Sequence, residues 1–284
     1  MTIINDYAEW LRFTGKSEST QKAYLYTLNK FISFSDGKFD NVNVMRFLNN
    51  VKASRKGRAK FSDGNKDTSF NRHLCALKSF FKFLKKEYEI ADFKIRARDS
   101  EITNPISKGE VGDILSVCYS PEDRVMIRLL YYCGLRLGEL LNLRAKDILN
   151  GGYMEVETEK KRRVASKPDR IPLDDTTYTL LKQYIKVMRL RPNDKFFTCS
   201  RNKIYGNLHT LCGRAGVGYF KPHAFRHGRA TDLAKDGMSI LYISRLLRHE
   251  HTWTGAWTGF APITDAYIHI TPEELKKELE MISK

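Results

Sequence analysis

Where the apolar residues of this 284-residue chain are periodic, they recur mostly at spacings of three and four, and only one short stretch alternates at two. The first spacing lines up one face of an α-helix, the second one face of a β-strand. Tyr24, Leu28 and Phe31 follow the helical spacing, with Leu25 and Ile32 widening the stripe. Phe70, Leu74, Leu77, Phe81 and Leu84 form a second stripe, with Lys78, Lys82, Lys85 and Lys86 between them. Residues 153–158 alternate instead, placing Met154, Val156 and Thr158 on one face, and Arg170–Leu173 returns after a polar stretch. The pattern predicts a mainly α fold with a small antiparallel β-sheet.

Local chemistry marks several helix starts. Ser107 with Glu110 reads as a capping box, Ser120 before Pro121 as a cap followed by proline, and helices resume near Asp174. Thr271, Pro272 and Glu274 combine both signals, and Leu275, Leu279 and Ile282 then give a narrow apolar stripe. Periodicity fades over residues 96–106, a polar stretch ending in Asn104-Pro105-Ile106. The expected organisation is a helical domain over 1–95, a linker over 96–106, and a second domain over 107–284 with a tail helix over 272–284.

Charge narrows the partner. Lys and Arg number 49 against 33 Asp and Glu, a net +16 spread along the chain, which favours a polyanion and above all nucleic acid. Lys52, Arg55, Lys56, Arg58 and Lys60 crowd one acid-free segment containing Gly57. That segment reads as a flexible loop touching phosphates, or, more plainly, as a solvated loop. With 42% hydrophobic residues the chain is globular rather than disordered. Cys75, Cys118, Cys133, Cys199 and Cys212 include no C-x-x-C pair and read as reduced thiols. There is no signal-like start and no apolar run of membrane-spanning length, so the expectation is a soluble, cytoplasmic, DNA-associated protein.

Transfer of a DNA phosphodiester without a metal needs a nucleophile, cations on the non-bridging oxygens and an acid for the leaving oxygen. Arginine suits the second task because its planar fork matches two phosphate oxygens. Arg136 follows Gly134, with Glu139 one turn on. His223 and Arg226 share one face if that segment is helical. His249 comes later, and Tyr267 lies near the end. Any one of these, taken alone, is ordinarily a surface, ion-pairing or core residue.

Their order is more specific. Gly134–Leu143 (GLRLGELLNL), then His223–Gly237 with its His-x-x-Arg-His, then Leu246–His249, then Asp265–Ile270 together resemble the tyrosine recombinase family of phage integrases and Xer-like resolvases. The resemblance covers residue 107 to the end and extends more loosely to the N-terminal helices, which are similar to the family's core-binding domain. It implies a two-domain clamp on duplex DNA, acting as a homotetramer on paired sites without metal or other cofactor. It implies that Arg136 and Arg226 grip the scissile phosphate, while His223 hydrogen-bonds it and assists proton transfer. His249 would donate to a non-bridging oxygen, and Tyr267 would attack to leave a 3′-phosphotyrosine. Glu139 would orient Arg136, and His227 would be structural. The acid falls in the strand–turn–strand unit, where alternation selects Lys160, with Lys161 and Lys167 as competitors. The tail helix is expected to dock on a neighbouring protomer, self-packing being the alternative.

Two features depart from the family pattern. Arg248 stands where Leu-Gly-His is usual, and the 18 positions from His249 to Tyr267 form a longer gap, with Trp253 and Trp257 inside it. One of those tryptophans could share the role of His249, and His249 with His251 could alternatively bind metal. Two readings stay open beside a recombinase: a type IB topoisomerase-like enzyme and a DNA-binding relative without catalysis.

Overall fold

The computed structural model describes residues 3–53, 65–94, 105–157, 167–248 and 270–282. The chain divides into two compact units, Met1–Ile102 and Thr103–Lys284. The architecture is mainly helical with one small sheet, as the periodicity predicts.

The N-terminal unit consists of α1 (Ile3–Phe13), α2 (Glu18–Ser35), α3 (Asn41–Ala53) and α4 (Asn65–Phe83), with a 3₁₀ turn at Glu87–Ile90. Ser17 caps α2 by accepting from the Thr20 N–H, and Asp36 closes it in the left-handed conformation at φ 49°. Phe70, Leu74, Leu77 and Phe81 from the predicted stripe are buried on α4. They meet Tyr7, Leu11, Leu28, Phe31 and Phe47 from the other three helices. Helix α3 continues through Ala53, so Lys52 has helical backbone rather than opening a loop. Lysine is a good helix former, and a run of basic residues does not by itself end a helix. Arg55, Lys56, Arg58 and Lys60 lie outside the described residues.

The C-terminal unit is assembled around α6 (Pro121–Tyr131), on which Val125, Met126, Ile127, Leu129, Leu130 and Tyr131 are all buried. A helix apolar on nearly every side must sit inside. Around it pack α5 (Lys108–Ser116), α7 (Leu137–Leu140), α8 (Asp175–Val187) and α10 (Pro222–Lys235). Further along come α9 (Arg201–Arg214) and α11 (Ile240–Leu246). The capping box of Ser107 with Glu110 and the cap of Ser120 before Pro121 form as predicted, and Asp174, near which the sequence predicts helices to resume, caps α8. Gly228 on α10 is needed because a Cβ there would lie 2.2 Å from the Ile106 carbonyl oxygen. Ile106, placed by composition at the end of a linker, is accordingly a core residue, 1% exposed.

The sheet has the order β1 (Ile148–Leu149), β2 (Tyr153–Val156), β3 (Asp169–Pro172), antiparallel throughout. Val156 pairs with Asp169 and Tyr153 with Pro172. Met154 and Val156 face the core as alternation requires. Thr158, Lys160 and Lys161 lie outside the described residues, and Lys167 is exposed just before β3.

Helix α12 (Pro272–Ile282) starts with the predicted reciprocal bonds: Thr271 N–H to Glu274 at 2.8 Å, and Glu274 N–H to Thr271 Oγ1 at 3.1 Å. It lies on β3 and α11 of its own unit, with Leu275 buried. Lys276 Nζ donates to the Gly151 carbonyl at 3.0 Å. In the single chain Leu275 is buried on its own unit, while Leu279 and Ile282 of the stripe are partly buried against the same core.

Candidate active site

Three elements converge in the C-terminal unit. The α6–α7 turn supplies Arg136, α10 supplies His223 and Arg226, and the end of α11 supplies the Leu247 and Arg248 backbone. Gly134 ends the first of these in the left-handed region at φ 56°. A Cβ at this position would fall 2.3 Å from Leu247 Cδ2, so both the turn and the close approach of α11 require glycine. Below the site, the Tyr131 hydroxyl donates to Asp232 of α10, and Arg229 lies over the Tyr131 and Tyr132 rings. That seam fixes α10 against α6. Burial first, then Asp232, push the Tyr131 phenol well above its ordinary pKa. Tyr131 is thus held as a neutral structural donor, unsuited to attack.

Arg226 is 2% exposed. Its Nη1 donates to the Gly134 carbonyl at 2.6 Å and its Nη2 to the Leu247 carbonyl. Burial, then Arg248 and Arg136, bring its pKa down to about 9, which still leaves it charged at neutral pH. Arg136 is more open, its side chain 39% exposed. Its Nη1 meets Glu139 Oε1 at 2.9 Å, its backbone N–H meets Glu139 Oε2 at 2.8 Å, and its Nη2 reaches the Arg248 carbonyl at 3.1 Å. Glu139 therefore holds Arg136 as the spacing suggested. Burial opposes ionisation of Glu139, yet Arg248 and Arg136 outweigh it and hold the carboxyl below its usual range.

His223 lies in the first turn of α10, and its ring stands edge to face with that of His227, centroids 4.3 Å apart. Burial, then His227, Arg226 and Arg136, lower the His223 pKa; burial and Arg226 lower that of His227. Both imidazoles are neutral at pH 7. Sequence reasoning left His227 as structural, and the ring contact gives it a partner.

Of the residues chosen from sequence, Arg136, His223 and Arg226 come together, with Glu139 beneath them. Lys160, His249 and Tyr267 lie outside the described residues. What sequence reasoning missed is the Arg248 side chain, which pairs with Glu139 at 2.8 Å. The signal was a long cation in a place that favours glycine. Among the described residues, no three His, Cys, Asp or Glu side chains are grouped to hold a metal ion, and no helix is long and apolar enough to cross a membrane.

The phage integrase family pattern matches residues 106–257, and that of the phage integrase N-terminal SAM-like domain matches residues 3–90. The chain belongs to the phage integrase family of tyrosine-type site-specific recombinases. Among its relatives is a tyrosine recombinase of Thermosipho africanus, 28% identical over 96% of this chain and 96% of its own length. Tyrosine recombinase XerA of Pyrococcus furiosus is 29% identical over 98% of this chain and 93% of its own. Among solved structures, the Tn1549 transposon integrase in complex with circular intermediate DNA shares the fold. Its TM-score is 0.66 at 18% identity, over 98% of this chain and 99% of that one. The XerH recombinase bound to difH substrate gives 0.59 at 19%, over 81% of this chain and 74% of that one.

Proposed function

We propose that this recombinase cuts and rejoins duplex DNA through a 3′-phosphotyrosine on Tyr267. The observation that carries the reading is the pairing of Arg136 and Arg226. Two guanidiniums from separate elements lie close enough for Arg136 to lower the Arg226 pKa, and are fixed by main-chain carbonyls and by Glu139. Like charges are brought together in this way where an anion will be bound. The two would take the non-bridging oxygens of the scissile phosphate. His223, neutral at pH 7, would hydrogen-bond the phosphate and assist the proton leaving the tyrosine, and His249 would donate to a non-bridging oxygen. As the Tyr267 oxygen bonds to phosphorus, the bond to the 5′ oxygen breaks. Lys160 would protonate that oxygen, with Lys161 and Lys167 as alternatives. The phosphate ester energy is kept in the protein–DNA bond, so a 5′-hydroxyl from a second duplex can reverse the step without ATP or a metal cofactor.

The surplus of basic residues supports duplex DNA as the partner, with Lys52, Arg55, Lys56, Arg58 and Lys60 assigned to sequence-independent phosphate contacts. Strand exchange between paired sites calls for a homotetramer, two subunits on each site. The test is a duplex nicked near the cleavage point, which traps the covalent adduct. Wild-type protein should form it, and Tyr267→Phe should bind the same duplex and form none. An adduct that persists in the variant would move the nucleophile elsewhere, with Tyr242 the next to try. Exchange of strands between two duplexes separates a recombinase from an enzyme that only relaxes DNA.

A further inference from the structure

Arg248 is the one member of the arginine cluster to which the reading above gives no task. Its side chain is 1% exposed. Its backbone sits at φ 53°, in the left-handed region that glycine enters freely and longer side chains do not. A buried cation on an unfavourable backbone must be held by strong partners, and it is. Nη2 donates to Glu139 Oε2 at 2.8 Å and to the Gly134 carbonyl at 3.2 Å, while Nη1 donates to the Leu246 carbonyl at 2.8 Å. Among the described residues Nε has no partner.

Two of those acceptors are shared. Glu139 also holds Arg136 at 2.9 Å, and the Gly134 carbonyl also holds Arg226 at 2.6 Å. The Arg248 carbonyl in turn accepts from Arg136 at 3.1 Å. Arg248 is thus tied to both clamp arginines through common atoms. A carboxylate set between two guanidiniums gives one oxygen to each. With Arg248 removed, Oε2 keeps only the Arg136 backbone N–H and has a lone pair with which to join Oε1 on the Arg136 guanidinium in a bidentate fork. For Arg136 that fork would occupy the edge needed for phosphate.

We propose that Arg248 is a positioning residue for the phosphate clamp: by holding one oxygen of Glu139, it prevents this carboxylate from drawing Arg136 off the scissile phosphate. The inference rests on the recombinase reading above and adds a residue to it. Arg248 touches no substrate; it acts through Glu139.

The prediction is a coupling between two substitutions. Adduct formation on the nicked duplex is measured at saturating protein for wild type, R248G, E139Q and the double variant. Circular dichroism and duplex affinity serve as controls. R248G relieves the backbone but breaks a buried ion pair, so the controls separate a loss of fold from a loss of rate. Here it should slow adduct formation by roughly 10–100-fold, the scale of a misplaced reacting group, while duplex affinity holds. In the E139Q background there is no carboxylate to restrain, so the same substitution should cost less than about threefold. Equal losses in both backgrounds, or none in either, overturn the proposal. The comparison of the double variant with E139Q stands even if R248G alone fails to fold, because E139Q already leaves Arg248 without its carboxylate and the second substitution removes that buried cation. A large loss in that comparison likewise overturns the role of Arg248. Wild-type protein that forms no adduct would instead overturn the recombinase mechanism beneath it, and this inference with it.

Discussion

In the N-terminal unit aromatic rings pack against one another among aliphatic side chains; in the C-terminal unit two of the buried side chains beside the site are guanidiniums. Phe80 shows the first arrangement. It meets Tyr7 at 5.3 Å and Phe39 at 5.2 Å between centroids, both edge to face, and is fully buried. Among that unit's buried polar groups, Thr27 Oγ1 and His73 Nδ1 form a hydrogen bond at 2.9 Å. The C-terminal unit buries Arg226, Arg248 and Glu139 beside a core of mixed aliphatic and aromatic side chains. A ring cluster is stabilising in its own right. Buried charge is commonly no better for stability than an apolar replacement of the same shape. The contrast separates an interior selected for packing from one that accepts charge because the site uses it.

The widest gap between the two units should appear in chemistry. Arg136→Lys and Arg226→Lys keep a cation but lose the planar fork, so single-turnover cleavage should fall by roughly 10²–10³ while duplex binding changes little. An equal fall in binding would show that these arginines serve affinity instead. In the other direction, Phe80→Ala should destabilise the N-terminal unit by about 3–5 kcal/mol, read from denaturant unfolding. The fraction of protein that still binds DNA should cleave at the wild-type rate. Slower cleavage by that bound fraction would make the ring cluster part of the site.

The smallest effect concerns pH. His223 and His227 have pKa values lowered in the folded state, so the unfolded chain takes up protons first as pH falls. Stability linked to the pair is complete above the unfolded value of about 6.5 and is lost as pH drops below it. Both residues are exposed at the surface and their rings only partly buried, which keeps the effect small. His227→Asn removes the neighbouring imidazole and should raise the His223 pKa, measured by proton NMR. A His223 titration that does not move would dissolve the pairing.

How far each unit could be read in advance follows the range of the interactions. Ser107 with Glu110, Ser120 with Pro121, and Thr271 with Glu274 are contacts within four residues, and all were legible. So was the α4 stripe from Phe70 to Phe81, because burial on one face leaves a period. The two-residue β1 left no signal, since its only support is the partner strand. Arg136 and Arg226 were legible through order and resemblance, not through any local rule. The tie between Arg248 and Glu139 spans 109 positions, and the long cation at a place that favours glycine marks Arg248 without naming its partner. The basic run made Lys52 look like loop although its backbone is helical, and composition placed the core residue Ile106 in a linker.

The contact between Gly228 and Ile106 bears on how this protein can be dissected. The catalytic unit's first described stretch of backbone is registered on the same helix that carries Arg226, through a gap only a hydrogen atom can fill. A fragment begun at Ser107, the first helix cap, would expose that groove to water and leave α10 without the chain that rests on it. The smallest autonomous catalytic fragment is therefore delimited by a glycine more than a hundred residues away, and cloning boundaries drawn from helix starts alone would cut inside it.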